Sequence, residues 1–313
     1  MKHALVCGVI WRSNGIPQRY PQLVQFESVR SSEPFHLCTN DEGNEELNLS
    51  PHCYDESGNR PAVALWGDSH AAALEPGLRP IVGAAGYGFV ILNKVSCLPL
   101  IGAARYNFGE HPLPRAIECM RYNHRVLDQL NADQSIKIVI LAGYWVLPPA
   151  DGEWWWTTGT ANQLRVTDGA ESRRVFTQSL AASIQSLQAS GKHVIVMQDV
   201  PNFDIDPLLI VKTARIPVRH KIAKWLGVPD LGNLGLAPPG SASSEALANT
   251  LLQETLVACP DAMLVDLKHE LCDANGQCVY LKEDHLLYKD SSHLDTEGAR
   301  YALRDFHIPP PPR

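Results

Sequence analysis

The chain has 313 residues, a formal net charge of -7 at pH 7 and an isoelectric point of about 5.9. Its 45% hydrophobic and 19% charged residues are typical of a globular protein with a substantial core. The acidic balance, without a basic stripe that could release many counterions, argues against a nucleic-acid partner. No run approaches the roughly 18 apolar residues of a membrane span, and residues 1–15 are interrupted too early to predict a signal peptide.

Five short apolar segments, rich in Val, Ile and Leu, recur along the chain. In chain order they are 63–68, 89–93, 136–143, 193–200 and 262–267. Their nearly continuous apolar character is typical of strands that are buried on both faces. Segments with a helical pattern lie between or after them, at 70–82, 115–131, 170–190, 243–258 and 296–304. This alternation predicts an α/β fold, a three-layer α/β/α sandwich around a mostly parallel five-stranded sheet.

Two regions fall outside this alternation. Residues 1–60 contain turn residues and cysteines but little periodicity, which predicts an irregular leader or linker lobe. Residues 201–242 form a long connection after the fourth predicted strand, as lid-like insertions do. We therefore expect a leader at 1–60, a main domain at 61–305 that contains the insertion, and a proline-rich tail at 306–313.

Eight cysteines are present, and six of them form local pairs along the sequence: Cys38 with Cys53, Cys97 with Cys119, and Cys272 with Cys278. Such pairs favour disulfides and therefore an oxidising compartment. Reduced, buried cysteines are the alternative, because eight cysteines allow about a hundred full pairings. CxxC spacing is absent, which disfavours a zinc ribbon or a thioredoxin-like site.

The sequence Gly-Asp-Ser-His at 67–70 follows the first predicted strand. Ligands bind beyond the carboxyl ends of the strands in parallel α/β sheets, so Ser69 is expected at the mouth of a site. A serine nucleophile needs a base and a group that orients the base. Asp290 and His293, three residues apart before the last predicted helix, could supply both. Alone, this pair would equally fit a capped turn with an exposed histidine.

Taken together, the two motifs resemble the SGNH, or GDSL-type, hydrolases, a family with an SGNH/flavodoxin-like fold. Their serine belongs to the first motif and their aspartate and histidine to the last. The segments GDSHAAALEP, NKVSCLPLIG, ECMRYNHRVLDQL, VILAGYW and CVYLKEDHLLYKDSSHLDTEGA are similar to the periplasmic SGNH domain that follows a multi-helix membrane acyltransferase in bacterial polysaccharide O-acyltransferases. The similarity covers residues 36–304 and makes 61–305 the SGNH catalytic domain. It implies that Ser69 is the nucleophile, His293 the general base and acid, and Asp290 its orienter.

The oxyanion hole departs from the family pattern. SGNH hydrolases carry an asparagine in a GxND motif after the third strand, and the matching stretch here is Gly-Tyr-Trp-Val at 143–146. Because that asparagine is absent, we expect the backbone NH groups of Ser69 and Gly143 to hold the oxyanion.

Several further residues are candidates for substrate contact. The candidates are His70, Tyr144, Trp145, Trp154, Trp155 and Trp156. The three consecutive tryptophans could stack on sugar rings or pin a loop to the core. Two aspartates have structural interpretations: we expect Asp68 to bond the turn after the first strand and Asp295 to cap the last helix.

The sequence thus favours a serine-dependent O-acyl transferase or esterase that acts on a bacterial cell-surface carbohydrate through a covalent acyl-serine. Resemblance indicates acetyl as the acyl group, a periplasmic or extracytoplasmic location and a membrane acyltransferase domain or protein as a partner. No metal or dissociable cofactor is required. Two alternatives remain: a catalytically weak glycan-binding or docking domain that serves a separate membrane acyltransferase, and a metal site formed by His285, Asp290 and His293.

Overall fold

The structure is a computed structural model. It describes residues 20, 23, 26, 37–55, 60–106, 112–145, 154–158, 164–167, 169–227, 234–240 and 242–309. For residues 106, 112–113, 154–158, 164–166 and 242–245 the description covers the backbone alone.

The strands, in chain order, are β1 (Thr39–Asn40), β2 (Ala62–Gly67), β3 (Gly88–Lys94), β4 (Ala103–Tyr106), β5 (Ile136–Ala142), β6 (Trp154–Thr158), β7 (Leu164–Val166), β8 (His193–Met197), β9 (Leu236–Ala237), β10 (Met263–Val265), β11 (Cys278–Val279), β12 (Leu281–Lys282) and β13 (His285–Leu286). The helices are α1 (Ser69–Ala84), α2 (Pro112–Ala132), α3 (Gly169–Ala189), α4 (Pro207–Arg215), α5 (Pro217–Trp225), α6 (Ala242–Val257), α7 (Lys268–Leu271) and α8 (Thr296–Ala302).

The central sheet has six strands in the order β1-β3-β2-β5-β8-β10, and every pairing in it is parallel. The α/β prediction is confirmed, and the five predicted strands form the sheet. The count of five is one too low, because Thr39–Asn40 adds an edge strand beside the end of β3. Two residues are too short to show a periodicity, so the sequence pattern gave no signal for them.

Alternate residues of the buried strands enter two separate cores, which makes the fold three-layered. In β2, Ala64 and Trp66 face the core formed with α2, α3 and α6, whereas Val63 and Leu65 face the core formed with α1 and α8. Both cores therefore need apolar strand residues, which explains the continuous runs in the sequence. Complete burial of a side chain such as Val63 or Leu65 stabilises the fold by about 1.5–3 kcal/mol.

Three disulfides close local loops of the chain. They join Cys38 to Cys53, Cys97 to Cys119 and Cys272 to Cys278, which confirms the predicted pairs. Among the described residues Cys259 is a free, buried thiol.

The predicted domain boundaries stay predictions. Part of the expected leader contacts the main sheet, since the NH of Ile91 donates to the carbonyl of Cys53 and β1 pairs with β3. The expected insertion contains α4, α5 and β9, and its role as a lid is a hypothesis.

Strands β2, β5 and β8 end at one edge of the sheet, at Gly67, Ala142 and Met197. This edge receives the loops that carry the polar residues of the candidate site. Within the described part of the chain, no helix has the length and apolar character needed to cross a bilayer.

Candidate active site

Ser69 begins helix α1 directly beyond the carboxyl end of β2. Asp68 is the N-cap of this helix, and its Oδ1 accepts a hydrogen bond of 2.8 Å from the NH of His70. The expected structural role of Asp68 in this turn is confirmed. Gly67 lets the turn approach β5, since a Cβ at this position would lie 1.8 Å from the carbonyl oxygen of Ala142. The Asp68 cap and Gly67 together place the Ser69 hydroxyl at the edge of the sheet.

The loop before α8 brings a histidine and a carboxylate to this serine. The Oγ of Ser69 and the Nε2 of His293 lie 2.9 Å apart, although 224 residues separate them in sequence. On the other side of the imidazole, Nδ1 lies 2.9 Å from Oδ2 of Asp290. The structure therefore places the three predicted residues in one continuous hydrogen-bonded chain.

Asp290 is itself fixed by backbone donors. Its Oδ1 accepts hydrogen bonds of 2.8 Å from the NH groups of Ser292 and His293. Burial alone would raise the pKa of Asp290, but the hydrogen bond and charge of His293 and the two backbone donors outweigh burial and hold this pKa well below its ordinary value. The ionised carboxylate keeps the proton of His293 on Nδ1. Nε2 is then left without a proton and faces the Ser69 hydroxyl.

The two predicted oxyanion donors belong to residues near the Asp68 cap. The NH of Ser69 is at the amino end of α1, where the first amides have no acceptor within the helix. Gly143 follows β5, and a Cβ at this residue would lie 3.4 Å from the carboxyl carbon of Asp68. The next amide, that of Tyr144, donates to both oxygens of the same carboxylate at 3.0 and 3.2 Å.

Trp145 occupies the position of the missing asparagine but does not face the site. Its side chain is completely buried, and its indole NH donates to the carbonyl of Met197 at 2.7 Å. The ring packs edge-on against Phe176 in the core. We expected Trp145 to contact substrate, but its side chain packs in the core instead.

A second histidine–aspartate pair lies beside the first. Its histidine, His70, was a candidate from the sequence, but its aspartate, Asp199, was not. The Nδ1 of His70 is 2.8 Å from Oδ1 of Asp199, and both side chains are buried. Asp199 follows the fourth strand, so the rule that pointed to Ser69 at a carboxyl end could also have flagged this aspartate. Its partner could not be read from the sequence, because the two residues are 129 positions apart.

His70 is packed against His293. The centroids of the His70 and His293 rings lie 4.3 Å apart, and the ring of Tyr144 covers His70 at 4.7 Å. Burial would lower the pKa of His70, and the Asp199 carboxylate opposes this effect through its charge and its hydrogen bond. The charges of Asp68 and Asp290 act in the same direction, and the pKa of His70 is raised above 6.5. The carboxylates around His70 therefore stabilise its imidazolium form relative to that of a free imidazole.

Tyr144 lies half-buried at the mouth of the site. The guanidinium of Arg105 stands 5.0 Å from the centre of its ring and donates to its backbone carbonyl at 2.9 Å. The proposed stacking of Trp154, Trp155 and Trp156 on sugars concerns side chains outside the described residues. The structure shows their backbone as strand β6, paired with β4 and β7.

The alternative metal cluster is not assembled as predicted. His285 is 2.9 Å from Asp295, which also accepts from Gly298 NH as the predicted cap of α8. Asp290 and His293 instead bond each other and Ser69. Elsewhere in the described ranges Cys38, His52 and Glu75 come together, but the sulfur of Cys38 is in a disulfide and offers no thiolate.

Comparison with known proteins identifies the family of the chain. No curated protein sequence is significantly similar to the chain. The periplasmic domain of a lipopolysaccharide acetyltransferase from Salmonella ser. Paratyphi A has a similar fold, with a TM-score of 0.58, 14% identity and coverage of 93% of this chain and 96% of that one. A GDSL-like lipase from Bacteroides thetaiotaomicron matches with a TM-score of 0.36, 12% identity and coverage of 78% and 85%. The family model described as "SGNH domain (fused to AT3 domains)" matches residues 37–307, and the chain belongs to this family.

Proposed function

We propose that the protein is a serine-dependent O-acyl transferase or esterase. The observation that carries this proposal is the hydrogen-bonded chain from Ser69 through His293 to Asp290. Membership of the SGNH family supports acyl transfer or ester hydrolysis in general terms.

In the proposed reaction, the Oγ of Ser69 attacks the carbonyl carbon of an acyl ester while Nε2 of His293 accepts the hydroxyl proton. The tetrahedral oxyanion is held by the NH groups of Ser69 and Gly143. His293 then returns its proton to the departing alkoxide, which leaves an acyl-serine. A sugar hydroxyl or a water attacks this ester with His293 again as the base, and Ser69 is regenerated.

His70 has a proposed electrostatic role in this reaction. The carboxylates of Asp68, Asp199 and Asp290 surround a site in which a negative oxyanion must form. An imidazolium at His70 offsets part of that negative charge and lies one residue from the nucleophile. We assign His70 as a residue that stabilises the transition state, in place of the absent asparagine.

The proposed acyl group is acetyl. The proposed substrate is a bacterial cell-surface carbohydrate, which either accepts the acyl group or carries the ester that is cleaved. The name of the Salmonella protein, a lipopolysaccharide acetyltransferase, and the AT3 association of the family support this proposal. They also support a membrane acyltransferase domain or protein as the partner. Three disulfides favour an oxidising location, so we propose a periplasmic or extracytoplasmic site of action.

The alternative is a glycan-binding domain with weak catalysis. The missing asparagine and the tryptophan strand β6 favour it, because one oxyanion donor is worth about a hundredfold in rate. Such a domain would keep its glycan affinity after Ser69→Ala and lose it when Trp154, Trp155 and Trp156 are replaced.

Hydrolysis of 4-nitrophenyl acetate, with and without acceptor oligosaccharides, tests the proposal. We expect Ser69→Ala and His293→Ala to reduce kcat by about a thousandfold or more, since the triad acts as a unit. Both variants should keep the wild-type melting temperature within a few degrees. Wild-type turnover in a folded Ser69→Ala protein would overturn the proposed function.

A further inference from the structure

Helices α4 and α5 leave the sheet at the edge that carries the candidate site. The connection from β8 to α4 contacts the loop of the triad, where the NH of Phe203 donates to the carbonyl of Ser291 at 2.7 Å. Pro207–Arg215 and Pro217–Trp225 then pack on each other as a pair of short helices. None of the residues in this pair enters the proposed reaction.

Helix α5 turns its large apolar residues away from the protein. Val218 is 64% exposed, Ile222 50%, Trp225 83% and Leu226, just after the helix, 64%. Positions i, i+4, i+7 and i+8 share one helix face, so these side chains form a continuous stripe. The buried residue of α5 is the small Ala223. This distribution is the reverse of a surface helix that packs its apolar face on a core.

The charge of this segment is opposite to that of the whole chain. Residues 207–227 contain five cations and no aspartate or glutamate, whereas the chain has a net charge of -7. In the helical projection, Arg219 and Lys221 border the apolar stripe on its two sides, and Lys224 follows. All three are exposed.

We infer that helix α5 is a docking surface for an anionic phospholipid bilayer. An apolar stripe that contains a tryptophan suits the boundary between headgroups and acyl chains, and flanking cations can reach lipid phosphates while their stems cover apolar surface. A protein partner fits less well, because one stripe on a nine-residue helix is small beside the roughly 800 Å² that a partner contributes to a stable interface. Docking by α5 would hold the candidate site near the membrane.

Vesicle co-sedimentation of the full chain tests this inference. We expect binding to phosphatidylcholine vesicles that contain phosphatidylglycerol, and a large loss of binding to phosphatidylcholine alone. Replacing Arg219, Lys221 and Lys224 by Gln should weaken binding by about fivefold for each cation removed. Trp225→Ser should weaken it by about tenfold or more, because a large interfacial side chain is lost. The fluorescence of wild-type protein should also shift to the blue on binding, and Trp225→Phe should remove this shift.

Val257→Ser is the matched control, since Val257 is 84% exposed at the end of α6 and lies outside the stripe. We expect it to bind vesicles as the wild type does. The inference would be overturned if folded wild-type protein did not bind vesicles that contain phosphatidylglycerol. It would also be overturned if Val257→Ser lost as much binding as Trp225→Ser. Self-association in sedimentation velocity that Trp225→Ser abolishes, without vesicle binding, would assign the stripe to a second copy and would also overturn it. Because the assay measures no catalysis, its outcome is independent of the proposed function.

Discussion

Individual residues determine the charge of the candidate site, and the pair of His70 with Asp199 is its least expected part. Asp199→Asn keeps the shape of the aspartate but removes the main group that raises the pKa of His70. We predict that wild-type kcat/KM falls as pH rises through the raised pKa of His70, and that the variant loses activity at lower pH. At a pH above the alkaline limb of the variant and below that of the wild type, the variant should be about tenfold slower, since one electrostatic contribution to the oxyanion is lost.

The measurement is the pH profile of kcat/KM for 4-nitrophenyl acetate. His285→Gln provides the control, because it breaks the histidine–aspartate contact with Asp295, which has no role in the proposed reaction. An alkaline limb that is the same in Asp199→Asn and the wild type would show that His70 does not act through its charge.

At the scale of elements, the contact between β2 and β5 sets the position of the nucleophile. Gly67→Ala would push a methyl group into the carbonyl of Ala142, so the strands would have to separate beside Ser69. We predict a loss of several degrees in melting temperature and of most activity, since overpacking against backbone costs about 1–3 kcal/mol. Thermal unfolding followed by circular dichroism measures the first effect.

Gly83→Ala in the same region of sequence is the control. A Cβ at Gly83 meets nothing within 4 Å, and alanine is favoured over glycine within helices by about 0.5–1 kcal/mol. This variant should be as stable as the wild type or slightly more so. Equal stability of the two variants would refute the close approach at Gly67.

The elements differ in how well the sequence predicts them. Strands β2, β3, β5 and β8 were predictable, because burial on both faces demands long runs of Val, Ile and Leu. Edge strand β10 is exposed or half-buried and was predictable from its apolar run alone. Helix α1 was predicted at 70–82 and runs from Ser69 to Ala84. The agreement is close because the residue that caps its amino end, Asp68, is next to it in the sequence. Edge strand β1 was missed because two residues have no measurable period.

In the candidate site, too, residues in local motifs could be predicted, whereas contacts between residues that are distant in sequence could not. Ser69, Asp290 and His293 could be predicted because each lies in a short motif beside a predicted element. The contact between His70 and Asp199 depends on how β8 lies beside β5 and β2, which no local pattern encodes. The inward turn of Trp145 was likewise unpredictable, because its acceptor, the carbonyl of Met197, belongs to another strand.

For the whole molecule, the pKa shifts of His70 and Asp290 predict how the free energy of unfolding changes with pH. The raised pKa of His70 means that its contribution is complete below 6.5 and is lost as pH rises through the folded-state value. The lowered pKa of Asp290 means that its contribution is complete above 3.8 and is lost as pH falls through the folded-state value. Stability from these groups is therefore greatest in the interval between 3.8 and 6.5.

Urea denaturation at pH 5.5 and at pH 8.5 checks the alkaline side. The wild type should lose free energy of unfolding between these conditions, and Asp199→Asn should lose less, because the main group that raises the pKa of His70 is then absent. Identical losses in both proteins would mean that His70 carries no linked proton.

The central claim is that Ser69 is an activated nucleophile. Its most direct test is the intact mass of the protein after exposure to a fluorophosphonate probe, with Ser69→Ala and His293→Ala in parallel. We predict a single adduct on the wild type, located on the peptide that contains Ser69, and no adduct on either variant. An unmodified wild type that is correctly folded, or an adduct that persists in Ser69→Ala, would contradict the claim.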